Sequence, residues 1–185
     1  MLDAAPLALH HPAEGSNRAP ALAQRPGSVA SARGNAMPNA RPAQGVLLIR
    51  AGVLLFLLGL LTGLLGPAAA NDRLLLSSHL EAVLNGMFLM LLGLAWPRLV
   101  LGERPLKLAF AGALVGTYAN WATTLLAAFL DAGQRFMPIA GAGAEGTRWE
   151  EALVAGGLAT LTVAMLGATA IILAGLRLRP GADGP

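Results

Sequence analysis

Apolar residues gather into four long runs, at residues 46–65, 77–96, 108–130 and 153–176, and polar residues gather between them. Each run has the roughly 20 residues that a helix needs to cross a hydrocarbon core about 30 Å thick. Lipid offers no partner to an open backbone group, so each run is expected to be helical. No run alternates with period two, and a transmembrane barrel would need many more segments. The pattern predicts an all-α protein, an integral membrane four-helix bundle. Gly66-Pro67 and Trp96-Pro97 mark helix ends. Trp96 and Trp149 stand where interfacial anchors belong.

Residues 1–44 are rich in Ala, Pro, Arg, Asn and Gly and lack apolar periodicity. They read as a disordered cytoplasmic tail, with a transit-peptide-like leader as the alternative. His10 and His11 are read as a solvated pair within it. Residues 45–178 form the transmembrane domain and 179–185 a short cytoplasmic tail. The third connection, 131–150, is long and glycine-rich and holds Met137-Pro138-Ile139-Ala140. Its length suits a lid over a site or simple slack, and composition does not choose.

Small residues repeat at spacings of four and seven along three helices: Gly52, Gly59, Gly63 and Gly66; Gly112, Gly116, Asn120 and Thr124; Gly156, Thr160, Ala164 and Ala168. Such stripes let membrane helices approach closely. They predict a compact bundle, and enough small-residue surface remains to expect a homo-oligomer.

Composition agrees with the pattern. Only 12% of residues are charged, about half the share of a soluble domain, and the mean hydropathy is +0.61. The absence of cysteine excludes disulfides, thiolate heme ligation, iron–sulfur clusters and a cysteine nucleophile. The pI of about 10.6 would suit a nucleic-acid partner, but the basic residues form no patch, and none is expected. Arg18, Arg25, Arg33, Arg41, Arg50, Arg98, Arg104, Lys107, Arg177 and Arg179 fall on one side, and Arg73, Arg135 and Arg148 on the other. The positive-inside rule puts both termini in the cytoplasm.

Polar side chains within a bilayer are costly and raise a functional question. The second run carries His79, Glu81 and Asn85, and the third carries Tyr118 and Asn120 among several threonines. At 100° per residue, Val83, Gly86 and Met90 share the His79 face within about 40°. One imidazole, one glycine and apolar neighbours can accept a flat apolar cofactor, and an imidazole can ligate heme iron. An imidazole that hydrogen-bonds across helices explains the same residue, and residue type leaves both open. Glu81 and Asn85 share a different face, about 120–160° away. Glu81 is either part of a site or an acid placed at a helix start for its dipole. No Ser/His/Asp triad, phosphate loop or multi-histidine metal site is evident.

Further motifs carry a resemblance. They are Leu60-Leu61-Thr62-Gly63, Ala70-Asn71-Asp72-Arg73, His79-Leu80-Glu81, Leu84-Asn85-Gly86-Met87-Phe88, Trp96-Pro97, Gly116-Thr117-Tyr118-Ala119-Asn120-Trp121 and Met137-Pro138-Ile139-Ala140. Together, over about residues 46–177, the chain resembles the hydroxylaminobenzene mutases, and more distantly the styrene oxide isomerases. The resemblance implies a membrane isomerase that converts arylhydroxylamines to 2-aminophenols without net redox change. It also implies heme b, a homotrimer, a bacterial inner membrane, and contact only with lipid, a small aromatic hydroxylamine and further copies of the chain. His79 would be the axial ligand of the heme iron, with Val83, Gly86 and Met90 beside the cofactor. Asn85, Asn120, Tyr118 and Glu81 would handle the substrate. The aspartate and tyrosine that the epoxide isomerases use on helix three are replaced here by Gly116 and Thr124. Epoxide isomerisation, a non-catalytic heme protein and a structural subunit remain as competing readings.

Overall fold

A computed structural model describes residues 40–143 and 145–176. The expectations for residues 1–39, including His10 and His11, and for 177–185 lie outside these. The elements in chain order are α1 (Ala40–Gly63), a 3₁₀ turn (Gly66–Ala68), α2 (Asp72–Ala95), a second 3₁₀ turn (Trp96–Arg98), α3 (Glu103–Leu130), the one-turn α4 (Pro138–Gly141) and α5 (Arg148–Gly175). Four helices are long and apolar enough to cross a membrane, and the described residues contain no strand.

Each long helix begins five or six residues before its apolar run, at 40, 72, 103 and 148 rather than 46, 77, 108 and 153. The reason is capping. Asn71 Oδ1 accepts the Leu74 N–H at 3.1 Å, and Thr147 with Glu150 forms a capping box for α5. Apolar residues mark the stretch that lies in hydrocarbon, whereas polar caps carry the helix on into the interface. Residues 40–44, read as tail, are therefore the first turn of α1. Pro42 is tolerated there because that turn's N–H groups have no helical partner. Arg41 fastens the turn to the second connection by donating to Leu101 O at 2.6 Å.

The closest packing is between α1 and α2. Gly45, Gly52 and Gly59 recur every seven residues and meet Gly93, Gly86 and the Ala82–Val83 backbone in turn. A Cβ built on Gly52 would stand 2.6 Å from Gly86 O, so the backbones themselves touch. α2 then packs on α3, and α3 on α5, where Gly112 and Gly116 receive Ala164, Met165 and Ala168.

The expected compact four-helix bundle is modified. α1 touches α3 only lightly, and among the long helices α5 packs substantially on α3 alone. Of the small-residue stripe of α5, Ala164 and Ala168 meet Gly112 of α3, whereas Gly156 and Thr160 are exposed. The opposite face exposes Val163, Leu166 and Leu173 at 75%, 68% and 72%, an apolar surface suited to lipid or to another copy. The Thr160 and Thr162 hydroxyls on this helix donate to Gly156 O and Leu158 O, so neither offers lipid an unpaired donor. Trp96, expected as an interfacial anchor, is instead fully buried. Its ring meets Phe110 edge-on at 6.0 Å and its Nε1 donates to Gln44 Oε1. Trp149 is 61% exposed, as an anchor should be.

Candidate functional site

His79 sits two turns into α2 and faces α1. Its Nδ1 lies 2.7 Å from Gly59 O. A carbonyl only accepts, so Nδ1 carries the proton and donates. Nε2 has no hydrogen-bond partner among the described residues. The ring is able to lie flat against α1 because Gly63 has no side chain; a Cβ there would stand 3.0 Å from Nδ1. An open groove of about 690 Å³ between the ends of α1 and α2 has His79 in its wall, together with Leu60, Leu64, Leu75 and, at its mouth, Asp72.

The other three positions expected beside a cofactor do not line that groove. Gly86 is buried against Gly52 O and Phe56, Val83 packs on Gly59, and Met90 packs on Gly52. The face that His79 shares with them is filled by α1. Helical phase grouped these residues correctly, but the glycine stripe of α1 takes up the space the grouping had left for a flat cofactor.

The second cluster lies on the opposite flank of α2, along α3. Thr124 Oγ1 is 2.8 Å from Glu81 Oε2, and Ser77 Oγ donates to Glu81 Oε1 at 3.4 Å. Thr124 Oγ1 is also 2.8 Å from Asn120 O. A hydroxyl has one proton, so it serves the carboxylate when Glu81 is charged, and is free for the Asn120 carbonyl when Glu81 carries a proton of its own. Asn85 lies one turn from Glu81 on α2, and Asn120 one turn from Thr124 on α3. Both asparagines are half-buried, and neither amide has a hydrogen-bond partner among the described residues. Glu81 is therefore more than a helix-start acid: it lies nine residues past Asp72, in a seam of polar side chains. Ser77 and Thr124 complete that seam. Their spacing of four from Glu81 and Asn120 is the signal that would have found them.

Tyr118, expected with these residues, is elsewhere. Its hydroxyl donates to Ala51 O at 2.8 Å and ties α3 to α1. Ala51 is eight residues, about 12 Å of helix, from Gly59 at the level of His79. One turn further along α3, Trp121 Nε1 donates to Thr62 Oγ1 at 3.0 Å and makes a second tie.

The third connection is not slack. Asn71 Nδ2 donates to Asp131 Oδ1 at 2.9 Å and to Gly141 O at 3.0 Å, and its own N–H bonds to Ala128 O. One side chain thus caps α2, holds the end of α3 and fastens α4. At the far end of the connection, Glu151 Oε1 accepts the N–H groups of Gly133, Gln134 and Gly146. These bonds explain why Asn71 and the Pro138 segment occur together as motifs. Asp131 and Ala142 adopt the left-handed backbone at φ 50° and 51° where the chain reverses.

Residues 44–177 match the family model described as styrene oxide isomerase. The chain belongs to the styrene oxide isomerase family. Among curated proteins it is 56% identical to hydroxylaminobenzene mutase HabB of Ectopseudomonas oleovorans over 133 residues, 72% of this chain and 81% of that one. It is 40% identical to hydroxylaminobenzene mutase HabA of the same organism over 129 residues, 70% of this chain and 96% of that one. No solved structure matches. The resemblance to hydroxylaminobenzene mutases drawn from the motifs is borne out, and this member of the styrene oxide isomerase family is an isomerase of the mutase type. Gly116, which the resemblance aligned with an acid of the epoxide isomerases, is buried under Met165, whose Cγ would be 2.5 Å from an added Cβ. A larger residue at that position would have to displace the Met165 side chain.

Proposed function

We propose that the protein converts arylhydroxylamines such as hydroxylaminobenzene to 2-aminophenols by intramolecular hydroxyl transfer, in a bacterial inner membrane and with both termini in the cytoplasm. The observation that carries this reading is the 56% identity to a hydroxylaminobenzene mutase. The polar seam of Glu81, Asn85, Asn120 and Thr124 supports it, because the chemistry needs amide donors and a proton carrier in a dry setting.

The reaction is an isomerisation. The N–O bond breaks with its electron pair leaving on oxygen, a C–O bond forms at the ortho carbon, and the ortho proton is lost while nitrogen gains one. In this reading Asn85 and Asn120 hold the N–OH group, donating to the oxygen as its charge grows. Glu81 takes the ring proton on a carboxylate oxygen and returns it to nitrogen. Thr124 steadies that oxygen in the charged form. Tyr118, engaged with Ala51 O, holds α3 in place and moves no proton.

A heme cofactor is part of the same proposal. His79 would hold it through Nε2: Nδ1 is committed to Gly59 O, which fixes the ring and leaves the Nε2 lone pair for a metal, and Leu60, Leu64 and Leu75 line the same groove. Bound heme iron would supply Lewis acidity toward the departing oxygen. His79 and the seam lie on opposite flanks of one α2, so a ligand that reaches both has to sit between copies. A homotrimer, as the resemblance implies, would supply that arrangement.

The test uses the purified full chain with hydroxylaminobenzene and with styrene oxide. Formation of 2-aminophenol with no turnover of the epoxide is expected; the reverse would establish the epoxide isomerase reading, which the family model's description favours. His79→Ala should lose the Soret band and the activity together. A variant that keeps the activity without the band would remove heme from the proposal and leave the reaction standing.

A further inference from the structure

At the end of the molecule that bears the third connection, two oxygen acceptors are buried without a hydrogen-bond partner among the described residues: Gln134 Oε1 and Glu151 Oε2. They are the two such side-chain atoms found, and a buried acceptor without a donor is costly. Both residues line one cavity of about 300 Å³, which Glu145 and Arg135 also line. Glu151 Oε1 is already engaged by three backbone N–H groups, so the free oxygen is the one that still calls for a donor. Set against Arg135, the cavity offers Glu145, Glu151 and the amide oxygen, which favours a cation carrying N–H groups.

An adjoining cavity of about 270 Å³ shares Arg135, Gly146 and Glu151 and adds Arg148, Ala152 and Ala155. Here two arginines line one space and favour an anion with several acceptor oxygens. Arg135 is held over the Phe136 ring at 5.5 Å and so keeps a defined position. Beyond this cavity α5 presents Ala152, Ala155 and Ala159, at spacings of three and four on one face. Further along α5, a shallow hollow of about 490 Å³ is lined by Ala159, Thr160, Val163 and Ala164. From Ala155 to Val163 is eight residues, about 12 Å of helix. Phe136, Ile139 and Trp149 stand 54%, 87% and 61% exposed around the polar end, as side chains at a membrane interface do.

The geometry points to a bound phospholipid with a primary ammonium headgroup, that is, a phosphoethanolamine lipid. The phosphate sits between Arg135 and Arg148, the ammonium donates to Gln134 Oε1 and Glu151 Oε2 near Glu145, and an acyl chain runs down the alanine face of α5. A choline headgroup has no N–H to give these acceptors. A glycerol headgroup brings no positive charge to Glu145 and Glu151. Free phosphate has no use for the alanine face.

Native mass spectrometry of the delipidated full chain, with lipids of identical acyl chains, tests the assignment. The ethanolamine lipid should be retained about tenfold more than the choline lipid, the worth of one charge-assisted hydrogen bond. Gln134→Met should cut that preference several-fold while still retaining phospholipid. The Arg135→Ala, Arg148→Ala double variant should lower retention of both lipids about tenfold, with isomerase activity confirming that the variants are folded. Equal retention of ethanolamine, choline and glycerol lipids overturns the assignment. So does unchanged retention in the double variant, or a double variant that alters only oligomer mass, which would make this face a contact between copies.

Discussion

Replacing Gly52 by alanine tests how much of the fold depends on backbone contact between α1 and α2. The added methyl would meet Gly86 O at 2.6 Å, Met90 Cγ at 2.8 Å and the Met90 N at 2.8 Å. Ordinary contact begins at 3.4 Å, so the carbonyl would have to retreat by 3.4 − 2.6 = 0.8 Å. Two of the three obstacles are backbone, which no rotamer change can clear. The helices must separate, and the loss spreads to Gly45–Gly93 and Gly59–Ala82 because all three contacts share one seam. Overpacking of this kind costs about 1–3 kcal/mol, and the rigid partners place Gly52 toward the upper figure. Gly167 is the control: nothing lies within 4 Å of its added Cβ, so Gly167→Ala should be neutral or raise stability by roughly 0.5–1 kcal/mol through helix propensity. Steric-trapping or thermal unfolding in one detergent compares the two. Gly52→Ala unfolding at the same point as Gly167→Ala would refute the claim that α1 and α2 meet backbone to backbone.

Three more predictions concern the seam and its supports. Thr124→Val keeps the shape but removes the hydroxyl 2.8 Å from Glu81 Oε2; turnover of hydroxylaminobenzene should fall at least about tenfold and recover in Thr124→Ser, and an active valine variant would take Glu81 out of the chemistry. Tyr118→Phe removes one tie between helices, so stability should drop by about 0.6–1.7 kcal/mol while turnover changes less than the ~100-fold expected for a lost proton carrier; a loss of that size in kcat would return Tyr118 to the site. Asn71→Ala loses the α2 cap and the bonds to Asp131 and Gly141, together about 2–3 kcal/mol of local stability. Hydrogen exchange should quicken in α4 and the rest of the third connection, and protection unchanged there would show that the connection is held by something else.

The four membrane helices were legible because length and apolarity are properties of each segment alone. Their ends were not, since caps such as Asn71 and Thr147 are polar and lie outside the apolar runs. Helix phase separated His79 from Glu81 and Asn85 correctly, and that division follows from 100° per residue without any knowledge of neighbours. What phase could not say is which neighbour covers which face. Val83, Gly86 and Met90 looked like a place for a flat cofactor until Gly52 and Gly59 of α1 took the space, and the two stripes are 24–38 residues apart in the chain. The place of Tyr118 was hidden for the same reason: its partner is a backbone carbonyl 67 residues away, and every residue supplies a carbonyl whatever its side chain. Thr124 shows the converse. It was noticed as a member of the small-residue stripe and as a departure from the epoxide isomerases, yet its hydroxyl is the atom placed against the one carboxylate of the seam. A difference between relatives thus became informative once geometry showed what the differing atom touches. Gly116 and Thr124 lie two turns apart on α3 with different neighbours: Met165 of α5 covers Gly116, and the carboxylate that meets Thr124, Glu81, comes from α2.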